Sequence, residues 1–171
     1  SALLALAWPI VVSRSAQVVV GFTDAAMVAD LGDAAMAATT AGSLNSFALL
    51  ILPFGIVSAV ASFASQLAGR GDFEGARRYG WYGLIVAAVG QIACLASLPF
   101  MGHAVGLMSH PAEVGGPMRD YLVLRLSTGG AAIGLEALGN YYAGVNRTRI
   151  PMLAQILAMV LNVALCWVLI Y

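Results

Sequence analysis

Continuous apolar runs, broken by short turn-rich segments, dominate the chain. Such runs fit helices that cross a bilayer, each needing about 20 apolar residues. They predict about five spans, at 3–28, 40–67, 79–101, 121–143 and 151–171. The second lies within a longer run, 34–68. At about 1.5 Å per residue this exceeds a bilayer, so it must tilt, protrude or bend. Pro53 with Gly55 marks the expected bend. Strict alternation, the mark of a membrane β-barrel, is missing. The expected fold class is all-α, a polytopic transmembrane helix bundle with a cytoplasmic N-terminus.

The connections contain turn signals. ADLGD (29–33) is acidic, and GRGDFEGARR (69–78) is rich in Gly and Arg. Residues 102–119 read as a longer loop with His103, His110, Pro111 and Pro117, the histidines solvated. NRTRI (146–150) precedes Pro151, which suits the first turn of a helix. No Ser- or Pro-rich linker divides the chain. Arg70, Arg77, Arg78, Arg147 and Arg149 fall on one side of the predicted bundle. Asp30, Asp33, Glu113, Asp120 and only Arg119 fall on the other. The arginine-rich side is expected to be cytoplasmic.

Composition agrees with a membrane protein. Hydrophobic residues make up 61%, charged residues 9%, and mean hydropathy is +0.89. A soluble domain has about 25% charged residues. Net charge is zero, so no nucleic-acid partner is expected. All eight basic residues are Arg, and no run of them is dense enough to suggest anionic-lipid recognition. Cys94 and Cys166 lie in apolar runs and read as buried thiols. No metal-ligand spacing or cleavable signal peptide is visible. The chain starts without Met and stops inside an apolar run, as a piece of a longer protein would.

Asp24 is the foremost candidate for chemistry. A carboxylate at membrane depth costs about 2.5–3.5 kcal/mol on insertion scales and marks ion, proton or substrate pathways. Ser13, Gln17 and Asp24 share a helix face, with Gly21 beside it. Arg125 and Glu136, eleven residues apart, are expected to share a face of the fourth span. Gln155, Asn162 and Cys166 share one on the fifth. Ser58, Ser62 and Gln66 form a stripe on the second, read as packing contacts. These stripes should face each other or water. Antiparallel geometry puts Asp24 level with Arg125 and Arg14 level with Glu136. The first and fourth spans are then expected to face each other, at least across a shared cavity.

The motifs along the chain resemble those of the multidrug and toxic compound extrusion (MATE) transporters. The first span has a Pro near its start, Gln17, and a GF-x-D-x-x-M element at Gly21–Met27. SFASQLAGRGDFEGARRYG is similar to that family's Gln-x-x-Gly and Gly-Asp-x-x-x-Ala-Arg loop. YLVLRLSTGG and GVNRTRIPM are similar to its Tyr-x-x-x-Arg and Gly-x-x-x-x-Arg-x-Pro-Met elements. LNVALCWVLIY is similar to its Leu-Asn-x-x-Leu pattern. The resemblance implies a protein of twelve helices in two six-helix lobes, in the bacterial inner membrane. It implies export of cationic or amphipathic small molecules by antiport against protons or sodium, with no cofactor besides the coupling ion and no catalytic residues. This chain would supply five helices of the N-terminal lobe. Its partners would be the bilayer, the substrate, and the sixth helix and C-terminal lobe of the same protein.

By the same resemblance, the cation or proton site centres on Asp24, with Gln17 and Asn162. Arg125, Glu136, Arg14 and Cys166 form a secondary polar cavity. Many members have Asn or Asp where this chain has Cys166. A thiol is a poor ligand for a hard cation, so a proton rather than sodium is the expected coupling ion. Glu136 adds a second protonatable group. Protonation of Asp24 would remove its charge, alter its hydrogen bonds with Gln17 and Asn162, and bias the first helix between two arrangements. The alternatives are a lipid or glycan flippase of related architecture, and an intramembrane enzyme with Asp24 and Glu136 as paired carboxylates. The two carboxylates are expected at different depths, whereas an acid–base pair must reach one substrate.

Overall fold

The computed structural model of the chain describes residues 2–108 and 111–170. Its long helices are α1 (Ala2–Ala29), α2 (Asp33–Gly69), α3 (Phe73–Ser97) and α7 (Arg149–Ile170). Between α3 and α7 lie a 3-10 turn (Leu98–Phe100), α4 (Met101–Leu107), α5 (Ala112–Ser127) and α6 (Gly129–Gly144). No strand occurs among the described residues. The helical class read from the sequence is the one observed. Asp33–Gly69, Phe73–Leu107 and Arg149–Val168 are long and apolar enough to cross a membrane. Glu113–Ser127 and Gly129–Gly144 together make a fourth if a bent pair counts as one span.

Two local expectations are corrected. The segment 102–119 is not a long loop. The chain leaves α3 through the 3-10 turn directly into α4, whose Met101 and Val105 are buried. His103 is exposed there; His110 lies outside the described residues. The second run, as its length led one to expect, is a single long helix of 37 residues with Pro53 inside it. The fourth span is not one helix. It breaks at Thr128, and its halves meet at 49°.

That break has a specific support. At a helix end, backbone N–H and C=O groups lack intrahelical partners, and water is unavailable in a bilayer to satisfy them. Gln91 of α3 supplies both needs. Its Nε2 donates to the Ser127 carbonyl at 3.0 Å and reaches the Leu126 carbonyl at 3.5 Å. Its Oε1 accepts the Gly130 N–H at 2.6 Å. One amide thus spans both ends of the break.

α2, α3, α5 and α6 form the densely packed part, around Leu50, Val57, Met118, Leu122, Leu126 and Ile133. Helix association in lipid depends on close packing of small residues more than on the hydrophobic effect. At Gly144 an added Cβ would lie 2.7 Å from the Ala61 carbonyl oxygen, so α6 meets the α2 backbone there. Among the described residues no helix packs on the stripe Ser58, Ser62 and Gln66. All three are exposed, and α2 turns Val57, Val60 and Ala64 inward instead. A helical wheel shows which residues share a face, but not which face a neighbour covers. Outward-facing large apolar side chains such as Phe22, Leu52, Ile92 and Leu124 are exposed, as on a surface that meets acyl chains.

Candidate functional site

α1 packs along α7 and also touches α2; α7 in turn touches α6. α1 and α7 run in the same direction. Ile10–Gln17 lie near Ile150–Ala158, and Asp24 lies near Cys166. This pair stands beside the packed helices and leaves two polar places along α1.

The first is a cavity of about 420 Å³ between α1, α6 and α7. Ser13, Arg14 and Gln17 line it from α1, Glu136 and Asn140 from α6, and Gln155 from α7. Ser13 Oγ donates to the Pro9 carbonyl at 2.9 Å, which satisfies it within its own helix. Arg14 is fixed from two sides. Its Nη1 donates to Gln17 Oε1 at 3.0 Å, and its Nη2 lies 3.7 Å from Glu136 Oε1. The expected pairing of Arg14 with Glu136 is therefore present, and the first span does face the inner half of the fourth across a cavity.

The second place lies further along α1. The Cys166 S–H donates to Asp24 Oδ1 at 3.6 Å. Asp24, Asn162 and Cys166 are all half-buried. One turn before Cys166, Asn162 Oδ1 is buried without a hydrogen-bond partner. Gly21, between Gln17 and Asp24, has open space where a Cβ would project. This is a small polar spot with one carboxylate, one thiol and one unused carbonyl acceptor. Among the described residues, no three His, Cys, Asp or Glu side chains gather where a metal ion would be held.

Several expected relationships are not formed. Gln17 bonds to Arg14 rather than to Asp24. Asn162 has no bond from its carbonyl oxygen to either. Arg125 is exposed and makes no ion pair, with Asp24 or another acid, among the described residues. Its spacing from Glu136 implies a shared face along an unbroken helix, and the chain bends by 49° between the two. Glu136 meets the cavity; Arg125 lies on α5, which packs on α2 rather than along α1.

Asn140 was not singled out by sequence reasoning. It lines the cavity, and its Nδ2 is buried without a partner. It follows Glu136 by four residues, so the helical repeat alone places it on the same face. Thr148, also in the lining, is buried in the turn before α7; no periodic signal marks it.

The sequence matches the MatE family model over residues 9–168. It is 32% identical over 174 residues to the probable multidrug resistance protein NorM of Neisseria meningitidis serogroup A, covering 99% of this chain and 37% of that protein. It is 29% identical to the multidrug resistance protein PmpM of Pseudomonas aeruginosa, covering 99% and 36%. A solved MOP superfamily transporter from Pyrococcus furiosus has the same fold, with a TM-score of 0.85 at 22% identity, covering 99% of this chain and 38% of that one. The chain thus spans a little over a third of the length of these relatives. Those relatives are named as multidrug resistance proteins and a transporter, not as enzymes. With nearly its whole length matched, the chain belongs to the MatE family.

Proposed function

We propose that the chain forms five spans of one lobe of a two-lobe, proton-coupled exporter in the bacterial inner membrane. Its cargo would be cationic or amphipathic small molecules. The names of the bacterial relatives support drug export as the activity of the whole protein. The observation that carries the coupling role is the Asp24–Cys166 contact, on the same helix as the cavity-lining Arg14 and Gln17.

The mechanism follows from that connection. An ionised Asp24 accepts the thiol hydrogen and holds α1 against α7. A protonated Asp24 loses its charge and gains a donor, for which the side-chain carbonyl of Asn162, unpartnered and one turn from Cys166, is an unused acceptor on α7. The α1–α7 contact thus has two hydrogen-bond arrangements, one per protonation state. Because Arg14 and Gln17 ride on α1, a change at Asp24 alters the cavity wall, and substrate affinity shifts with proton occupancy. A thiol beside a single carboxylate suits a proton better than a hard metal cation. Glu136 pairs with Arg14, ten residues and about 15 Å from Asp24 along α1. That separation disfavours the two carboxylates as an acid–base pair on one substrate.

The test uses the full-length protein in proteoliposomes with an imposed pH gradient and a fluorescent lipophilic cation. Gradient-driven transport is expected in the wild type and lost in Asp24→Asn. Retention of the wild-type response in that variant would remove Asp24 from coupling.

A further inference from the structure

A second cavity, of about 480 Å³, lies at the end of the molecule where the arginine-rich turns gather. The start of α3 supplies Phe73, Glu74 and Arg77, the end of α6 supplies Tyr141 and Tyr142, and the following turn supplies Arg147. Arg77 and Arg147 are seventy residues apart in sequence. No local run of basic residues announces the site, and only the fold makes it cationic.

The cavity is built rather than incidental. Tyr141 presses its ring onto α3 at Gly80, where an added Cβ would lie 3.2 Å from Tyr141 Cγ. Tyr142 stands edge-on to Tyr141, with ring centroids 5.1 Å apart. α6 ends in a left-handed turn at Asn146, φ 60°. In that turn the Arg147 N–H donates to the Tyr142 carbonyl at 2.8 Å. This Schellman-type closure fixes the backbone from which Arg147 projects. The lone acid, Glu74, is drawn to Arg78 at 3.4 Å, on the next turn of α3. Arg77 and Arg147 make no ion pair among the described residues. Two guanidinium groups and two tyrosines thus line one cavity, and its single acid, Glu74, is paired with Arg78 rather than with Arg77 or Arg147.

The position along the membrane normal selects the ligand. Phe73, Trp81 and Tyr82 are exposed on the same end of α3. Exposed aromatics of this kind mark the membrane–water interface. The cavity then lies at head-group level, on the arginine-rich side, where the cytoplasmic leaflet presents anionic lipid. Guanidinium groups match phosphate oxygens in a planar, two-point fashion. We propose that this cavity binds the phosphodiester head group of an anionic phospholipid and seats the lobe in the cytoplasmic leaflet. This goes beyond the transport role and does not depend on Asp24.

The test is native mass spectrometry of the detergent-purified full-length protein with phosphatidylglycerol, phosphatidylcholine or soluble glycerol phosphate added. The wild type is expected to retain phosphatidylglycerol over phosphatidylcholine and to ignore glycerol phosphate. Arg77→Gln and Arg147→Gln should each weaken retention about fivefold. Arg70→Gln, at the same end but outside the cavity, should not. Arg77→Lys and Arg147→Lys preserve charge and guard against misfolding; they should fall between wild type and Gln. Undiminished retention in the Gln variants, equal loss in Arg70→Gln, or displacement of lipid by glycerol phosphate would each overturn the proposal. All arms read bound lipid, so failure here is separate from failure of transport.

Discussion

The Cys166 thiol lies 3.6 Å from Asp24 Oδ1 and joins α7 to α1. The carboxylate therefore has a soft, weak donor as its partner rather than a second oxygen ligand. Replacing Cys166 with Ser keeps a donor at that place, and pH-driven efflux should stay within a few-fold of wild type. Replacing it with Asp puts two carboxylates in contact, which repel unless a proton or cation lies between them. Efflux by Cys166→Asp in the full-length protein should then gain a dependence on sodium. Flux assays with and without a sodium gradient check this; an unchanged sodium response would show that residue 166 does not set ion choice.

Arg14 joins Gln17 on its own helix to Glu136 on α6. Glu136→Gln should loosen Arg14 and weaken substrate affinity more than it alters the pH response. The side chains of Arg14 and Glu136 are 63% and 34% exposed, so their pairwise contribution to stability should not exceed about 1 kcal/mol. A double-mutant cycle on the unfolding of the detergent-solubilised protein, using Arg14→Gln and Glu136→Gln, measures it. A coupling several times larger would mean that the pair is a structural clasp.

Gln91 holds the broken fourth span through the Ser127 carbonyl and the Gly130 N–H. Gln91→Leu keeps the bulk and leaves both backbone groups unpaired, with an expected destabilisation of about 1–3 kcal/mol. Thermal unfolding of the full-length variant reads this. An unchanged midpoint would show that neighbouring groups can satisfy the break.

Much of the architecture was legible because bilayer-length apolar runs impose helices and little else. The alignment of Arg14 with Glu136 was legible too, since depth along antiparallel spans follows from residue counting. A partner for Arg125 was not legible because counting assumes a straight helix; the break at Thr128 is bridged by Gln91, a residue 37 positions away in sequence. Ser58, Ser62 and Gln66 were misread because a polar stripe does not reveal which helix covers it. Asn140 was within reach of the same four-residue repeat that links Gln17 to Ser13. The convergence of Arg77 and Arg147 was not, because it depends on the packing of α3 against α6 and on the turn at Asn146.

The most direct measurement of coupling is proton release when a cationic substrate is added to the purified full-length protein in weakly buffered solution. Wild type should release protons on substrate binding, Glu136→Gln should do the same, and Asp24→Asn should release none while still binding substrate. Undiminished release from Asp24→Asn, or its loss in Glu136→Gln alone, would contradict Asp24 as the group that trades its proton for the cargo.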